Sequence, residues 1–411
     1  MTFDIRRSTF ADVRAARRLG DEAFGAPAAR APDPDPDSWP SPNVRPWSAW
    51  AGAELVAVLG VRHFTSWFHG AAVPTAGFAG VTVAAERRGE GVIRPLFDAA
   101  LAEARDQGEV VSTLYPSAAG IYRGLGYEVI GSYDEVRLPM SALAAVRPPT
   151  SGVRTRRATP ADLEAVRAVY ATWSAAQNGP LTRAEKPFTA ESDELFGPDS
   201  PYTGVSLAVG PDEGVQGFVS WNRGSAHDGT GSLEVDDLVA LTPDAARALW
   251  RVVGSFTTVA GAVQVSTSGG WTGADPSRLV LPDHAATTTS RPYMLRLLDV
   301  AGALGSAHLP PLEACVPFAV VDPRTPDLEG AWTLVADRDG VAHLRADPWR
   351  APTAGAPDRP TFTSAGLAVS YAGAASTASL RLAGHLSGPS DHDRVWDALW
   401  RGGDVHVRDY F

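Results

Sequence analysis

The octet Arg6-Arg7-Ser8-Thr9-Phe10-Ala11-Asp12-Val13 returns as Arg156-Arg157-Ala158-Thr159-Pro160-Ala161-Asp162-Leu163, at a constant offset of 150 residues. Each copy reads as the end of a short strand, a Thr N-cap, an Asp at the third helical position and the start of a helix. That spacing is close to a capping box, which satisfies backbone N–H groups left open at a helix start. The second copy adds Pro160 at the first helical position, a favoured site. Strand and helix alternate over a similar length after each copy, so the chain of 411 residues is expected to carry one α/β fold twice.

In the first copy the helix is expected from Phe10 to about Ala23. Residues 26 to 46 are rich in Pro and Asp, which block helix and ladder alike, and read as loop. Strand-like runs follow at Glu54–Leu59, Gly60–Phe64 and Phe78–Ala84, and again at Val110–Leu114, Glu128–Ile130 and Val136–Met140. Three domains are expected, at 1–148, 149–293 and 294–411, the last an α+β unit. Its strands fall at Ala319–Val321, Ala331–Ala336 and Val341–Arg345, and its helix carries Asp391, Val395 and Leu399. The tail Asp404–Phe411 alternates like a strand, either closing the last sheet or docked elsewhere.

Gly80 to Arg94 carries the chemistry. Val81 and Val83 are β-formers, Gly89 and Gly91 sit where the chain turns, and Val92, Leu96, Ala100 and Ala104 have helical spacing. A helix opened this way offers backbone N–H groups and its positive dipole end to an anion such as a pyrophosphate. The bland alternative is a surface turn that carries arginines. The matching stretch of the second copy, Val235 to Asp244, lacks both the arginines and the glycines, so an anion site is expected in the first copy only.

A net charge of −11 argues against nucleic acid or an anionic membrane as partner and favours cationic ligands. One cysteine, Cys315, excludes an intrachain disulfide and a multi-cysteine metal site and fits a reducing cytoplasm. No apolar run is long enough to span a membrane, and the N-terminus has no signal core. No HExxH, nucleophile elbow or P-loop occurs, and no metal is expected.

The segment Arg88-Gly89-Glu90-Gly91-Val92-Ile93 resembles the acetyl-CoA motif Q/R-x-x-G-x-G/A of the Gcn5-related N-acetyltransferase (GNAT) superfamily, with Ile in place of the last small residue. That Ile, the following Arg94, and the S-x-x-G-I-Y-x-x-x-G-Y segment from Ser117 to Tyr127 are similar to the mycobacterial "enhanced intracellular survival" (Eis) acetyltransferases. The resemblance implies tandem GNAT folds, each a mixed central sheet flanked by helices, of which only the first is active. It also implies a sterol-carrier-protein-like α+β domain ending in a C-terminal Phe, and a homo-oligomer, a hexamer. Acetyl-CoA would be the co-substrate, with Val81 and Val83 offering backbone groups to its pantetheine arm. The segment Arg88, Gly89, Glu90, Gly91, Val92, Ile93, Arg94 would hold the pyrophosphate, and Ser117 would make a polar contact nearby. By the same resemblance Tyr122 is the general acid and the carboxylate of Phe411 the general base. Phe24, Trp39, Asp409, Tyr410 and the Asp33/Asp35/Asp37 loop are expected around the substrate. Here Tyr410 stands where the family often has an acidic residue.

The function so implied is acetyl transfer to primary amines of a cationic substrate: an aminoglycoside, a polyamine or a lysine side chain. The alternatives are a non-catalytic acyl-CoA or lipid-binding protein, and an acyltransferase using longer acyl chains.

Overall fold

The structure is a computed structural model that describes residues 2–25, 32–224, 229–269, 286–348 and 357–411. The first copy supplies β1 (Asp4–Arg7), α1 (Val13–Phe24), β2 (Val44–Ala51), β3 (Glu54–Phe68), β4 (Ala71–Val83), α2 (Ile93–Asp106), β5 (Val111–Leu114), α3 (Ala119–Arg123) and β6 (Glu128–Pro139). The second supplies β7 (Arg154–Arg157), α4 (Leu163–Ser174), α5 (Ser192–Phe196), β8 (Gly204–Val209), β9 (Val215–Asn222), β10 (Ser232–Ala240), α6 (Pro243–Gly254), β11 (Ala262–Ser268) and β12 (Thr287–Leu297).

The repeated octet is a repeated tertiary device. Asp12 accepts from the Thr9 amide at 2.8 Å and from Arg6 at 2.8 and 3.2 Å. Asp162 accepts from the Thr159 amide at 2.9 Å and from Arg156 at 2.8 and 2.6 Å. One carboxylate thus caps a helix and ties it to the strand before it. In both copies the first helical turn is a 3-10 turn, so the α-helix proper starts at Val13 and Leu163. The two short runs expected between Glu54 and Phe64 are one strand. β3 forms a long hairpin with β4 through His69-Gly70, both at positive φ (49° and 73°), as a tight turn matched to strand twist requires.

The strands form one twelve-stranded sheet in the order β1-β2-β3-β4-β5-β12-β6-β11-β10-β9-β8-β7. The two copies exchange their last strands across its centre: β12 pairs with β5 of the first copy, and β6 pairs with β11 of the second. β12 alternates, with Tyr293, Leu295 and Leu297 on one face and Met294 on the other, so it serves two cores at once.

The rest of the chain forms α7 (Val300–Gly305), β13 (Ala314–Val320), β14 (Gly330–Ala336), β15 (Ala342–Ala346), β16 (Thr361–Phe362), α8 (Ser364–Tyr371), α9 (Thr377–Leu382), β17 (Leu386–Ser387) and α10 (Asp393–Trp400). Its five-stranded sheet has the order β15-β14-β13-β16-β17. Every residue of α8 is buried, because the helix packs against both β12 and β16. Residues 404–411 join neither edge of this sheet. They leave the third unit and enter the tandem one, where a single bridge, Asn178 to Val405, is their only ladder contact among the described residues.

Candidate active site

The site begins with a fork in the large sheet. β4 and β5 run parallel and pair only from Thr75↔Val111 to Phe78↔Leu114. β4 then continues to Val83 against β3, with a bulge near Gly80, which has φ +61°. One backbone edge of Ala79–Val83 is therefore left without a partner strand, at the carboxyl ends of parallel strands, where open α/β sheets bind ligands. A cavity of about 310 Å³ opens there, and its wall includes Phe24, Val81, Ser117, Tyr122, Tyr410 and Phe411. These expected site residues come from four separate parts of the chain.

The turn after β4 has the geometry its glycines suggest. Gly89 and Gly91 have φ of +85° and +81°, and a Cβ at either would meet nothing in the protein. The glycines are therefore needed for the backbone path and leave the approach to α2 open. Arg88 and Arg94 are exposed beside it; Arg94 hydrogen-bonds the Gly124 carbonyl. Arg87 is instead tied to Glu54 and, at 3.7 Å, to Glu90.

In the second copy the equivalent helix start is filled by the protein itself. Thr242 caps α6 by accepting from the Ala245 amide at 3.2 Å. Asp244 accepts from the Thr150 and Ser151 amides at 2.8 and 2.7 Å and from Arg247 at 2.6 Å. The bonds from Ser151 and Thr150 hold the Asp244 carboxyl well below the usual carboxylate range.

Tyr122 and Tyr127 separate cleanly. Tyr127 is fully buried, its hydroxyl 2.6 Å from Ser112 Oγ, a core role. Tyr122 packs edge-on against Phe97 at 5.9 Å and borders the cavity. No hydrogen bond to the Tyr122 hydroxyl occurs among the described residues. Burial pushes this phenol above its ordinary value of 10.0, so it keeps its proton at neutral pH.

The tail reaches the cavity from the far side. The His406 amide donates to the Asn178 carbonyl at 2.9 Å and the Val407 amide to Ser268 Oγ at 3.0 Å. Tyr115 then donates to the Asp409 carbonyl at 2.8 Å. The Phe411 ring lies on Phe64 (4.9 Å) and Tyr115 (5.5 Å), over Gly77, where a Cβ would come within 2.9 Å of it. Tyr410 is half-exposed and packs at a tilt against Tyr115, ring centroids 4.6 Å apart, with the Arg291 guanidinium 5.3 Å from its ring.

Three expectations land elsewhere. Asp409 is buried against Arg183 and Tyr170 and does not line the cavity. Trp39 packs on Phe10 at 6.0 Å, away from the cavity wall. Asp33 is held by Arg14 and Arg17 at 2.9 and 2.8 Å, so its charge is matched on the surface of α1. Tyr115 and Arg291 border the cavity and were not singled out from sequence. Tyr115 had a signal, its place directly after a parallel strand. Arg291 had none, because it arrives on the exchanged β12.

Residues 4–130 match a family model described as an acetyltransferase (GNAT) domain, and residues 179–297 match a second model of the same description. A solved GCN5-related N-acetyltransferase from Kribbella flavida is 30% identical and superposes with a TM-score of 0.81 over 100% of this chain and 98% of its own. The chain belongs to the GCN5-related N-acetyltransferase superfamily. This GNAT protein is also 29% identical, over 72% of its length and 73% of the relative's, to an uncharacterized N-acetyltransferase of Streptomyces avermitilis. It shares its whole-chain fold with Eis1 from Mycobacterium abscessus, at a TM-score of 0.71 and 22% identity, covering 100% of both chains.

It is accordingly a GNAT-type N-acetyltransferase, and the GNAT fold implies acetyl-CoA as co-substrate and an amine as acceptor. The open β4 edge and the glycine turn beside two exposed arginines fit the two ends such a co-substrate presents. Among the described residues no helix is long and apolar enough to cross a membrane, and no group of His, Cys, Asp or Glu is arranged to hold a metal ion.

Proposed function

We propose that the first copy acetylates a primary amine of a cationic substrate by direct attack in a ternary complex, with Tyr122 as general acid and the Phe411 carboxylate as general base. The observation that carries this reading is that Tyr122 and Phe411, far apart in sequence, line one cavity beside the open β4 edge. Acetyl-CoA supplies the thioester carbonyl. Val81 and Val83 orient its arm through backbone groups, Arg88 to Arg94 hold its pyrophosphate, and Ser117 contacts it near the cavity mouth.

The acceptor must arrive as a free amine, although an alkyl ammonium has a pKa of about 10.4. The Phe411 carboxylate holds the ammonium and accepts its proton, directly or through water, and Tyr122 gives a proton to the departing sulfur. The aromatic wall of Phe24, Tyr115 and Tyr410 suits a cationic body such as an aminoglycoside, polyamine or lysine side chain, because ring faces attract cations. The third unit is proposed as a sterol-carrier-like scaffold for the tail, in a homo-hexamer.

The test incubates the protein with acetyl-CoA and a panel of amines and follows free thiol. Release with at least one cationic amine is expected. Tight acetyl-CoA binding without release for any amine would turn the reading into a binding protein. Extending the chain by a few residues beyond Phe411 is expected to abolish release, and full activity in that variant would remove the carboxylate from the reaction.

A further inference from the structure

The tail is held in the first copy's cavity by the second copy, which the acetyl-transfer chemistry does not otherwise use. Arg183 is the centre of that hold. It sits between two copies of the same charge, donating to Asp237 of β10 at 2.6 and 3.1 Å and to Asp409 of the tail at 2.9 Å. Its guanidinium lies 4.0 Å from the ring centroid of Tyr170 on α4, and the Tyr170 hydroxyl completes the cluster at 3.3 Å from Asp409. Asp237 and Asp409 are both almost fully buried. Burial pushes both carboxyls up, but the bidentate Arg183 outweighs it at Asp237 and only partly offsets it at Asp409.

Asp409 therefore depends on Arg183 for a charge partner, and it is two residues from Phe411. Removing one member of a buried pair leaves an uncompensated charge, which is far costlier than losing a surface pair. Around this cluster the backbone bonds from His406 to Asn178 and from Val407 to Ser268 set the direction of the tail, again on second-copy residues. We propose that Arg183 is a positioning residue: through Asp409 it fixes where Phe411 sits against Gly77 and Tyr115, so the second copy serves as an anchor for half of the first copy's active site. This rests on the reading that Phe411 acts in the acetyl transfer.

The test compares the full-length chain with Arg183→Lys, Arg183→Met and Asp409→Asn, reading hydrogen exchange of residues 404–411 beside steady-state kinetics. Arg183→Met is expected to speed exchange of the tail amides at least tenfold while the β3–β4 hairpin stays protected. It should lower kcat/KM for the amine at least tenfold and change acetyl-CoA affinity less than twofold. Arg183→Lys keeps the charge and is expected to fall between Arg183→Met and the wild type. Should Arg183→Met not fold, Asp409→Asn, which keeps the shape and removes the charge, carries the same expectation. Unchanged tail exchange in Arg183→Met and Asp409→Asn overturns the anchor. A released tail with unchanged amine kinetics supports the anchor and sinks the catalytic part of the reading instead, so the two failures are distinguishable.

Discussion

The two copies of the fold reach the same point in their backbones and diverge there. Each runs a central strand through a bulge and into a helix: β4 at Gly80 into α2, and β10 between Val235 and Asp237 into α6. In the first copy the turn is built on positive-φ glycines with exposed arginines beside it. In the second, Thr242 and Asp244 occupy the helix start, and Asp244 is already bound by two backbone amides and Arg247. A helix N-terminus attracts an anion only while its amides and dipole are unclaimed. On the proposed reading, this difference makes one copy of the fold a ligand site and the other a support. A capping side chain and a carboxylate are enough to close it.

The largest expected effect breaks the first copy's chemistry. Tyr122→Phe should lower kcat by about 10²- to 10⁴-fold, the usual worth of a general acid, with acetyl-CoA affinity unchanged. Because burial raises the Tyr122 phenol, the proton it must donate is kept throughout the accessible alkaline range. Wild-type rates should climb toward pH 9 as free amine accumulates. A descending limb below that pH would remove Tyr122 as the acid.

Next comes the turn itself. Arg88→Ala with Arg94→Ala removes two charge-assisted partners of a phosphate group, about 1.5–3 kcal/mol each, or roughly ten- to hundredfold per residue in acetyl-CoA affinity. Calorimetric titration measures it, and a loss below threefold would mean that the backbone amides act alone. The matched change in the second copy, Thr242→Ala, should cost about 1 kcal/mol of stability, as loss of a cap does, and leave acetyl-CoA affinity and turnover untouched. Thermal melts and the same titration check both halves.

The smallest effect belongs to what the copies share. Burial pushes Asp12 up, but Arg6 and the Thr9 bonds outweigh it, and Arg156 leads the same downward shift at Asp162. Both carboxyls are depressed on folding, so the stability they contribute is present above the ordinary carboxylate pKa and lost as pH falls through their lowered values. Asp12→Asn and Asp162→Asn should therefore each lower Tm at pH 7, with the deficit shrinking toward pH 2. A deficit that grows on acidification would contradict the cap.

Much of this contrast was legible in the chain. Thr9, Asp12, Thr159 and Asp162 announce two helix starts because a cap is local: its partners lie within six residues. Gly89 and Gly91 announce the turn for the same reason. The exchange of β6 and β12 was hidden, because the alternation of Tyr293, Met294 and Leu295 says which faces are buried and nothing about the neighbouring strand. The destination of the tail was hidden too. Its alternation reads as a strand, yet His406 to Asp409 are buried and the tail is held by Asn178, Ser268, Arg183 and Tyr115, partners that no local pattern connects. Asp409 looked like a substrate contact beside Phe411, and what marks it as an anchor is the distant Arg183.

An equilibrium titration with acetyl-CoA on the wild type, the Arg88→Ala/Arg94→Ala variant and Thr242→Ala tests the contrast between the copies most directly. One molecule should bind per chain in the wild type and in Thr242→Ala, with affinity falling at least tenfold in the double arginine variant. Two molecules per chain, or binding that weakens with Thr242→Ala and survives loss of both arginines, would contradict it.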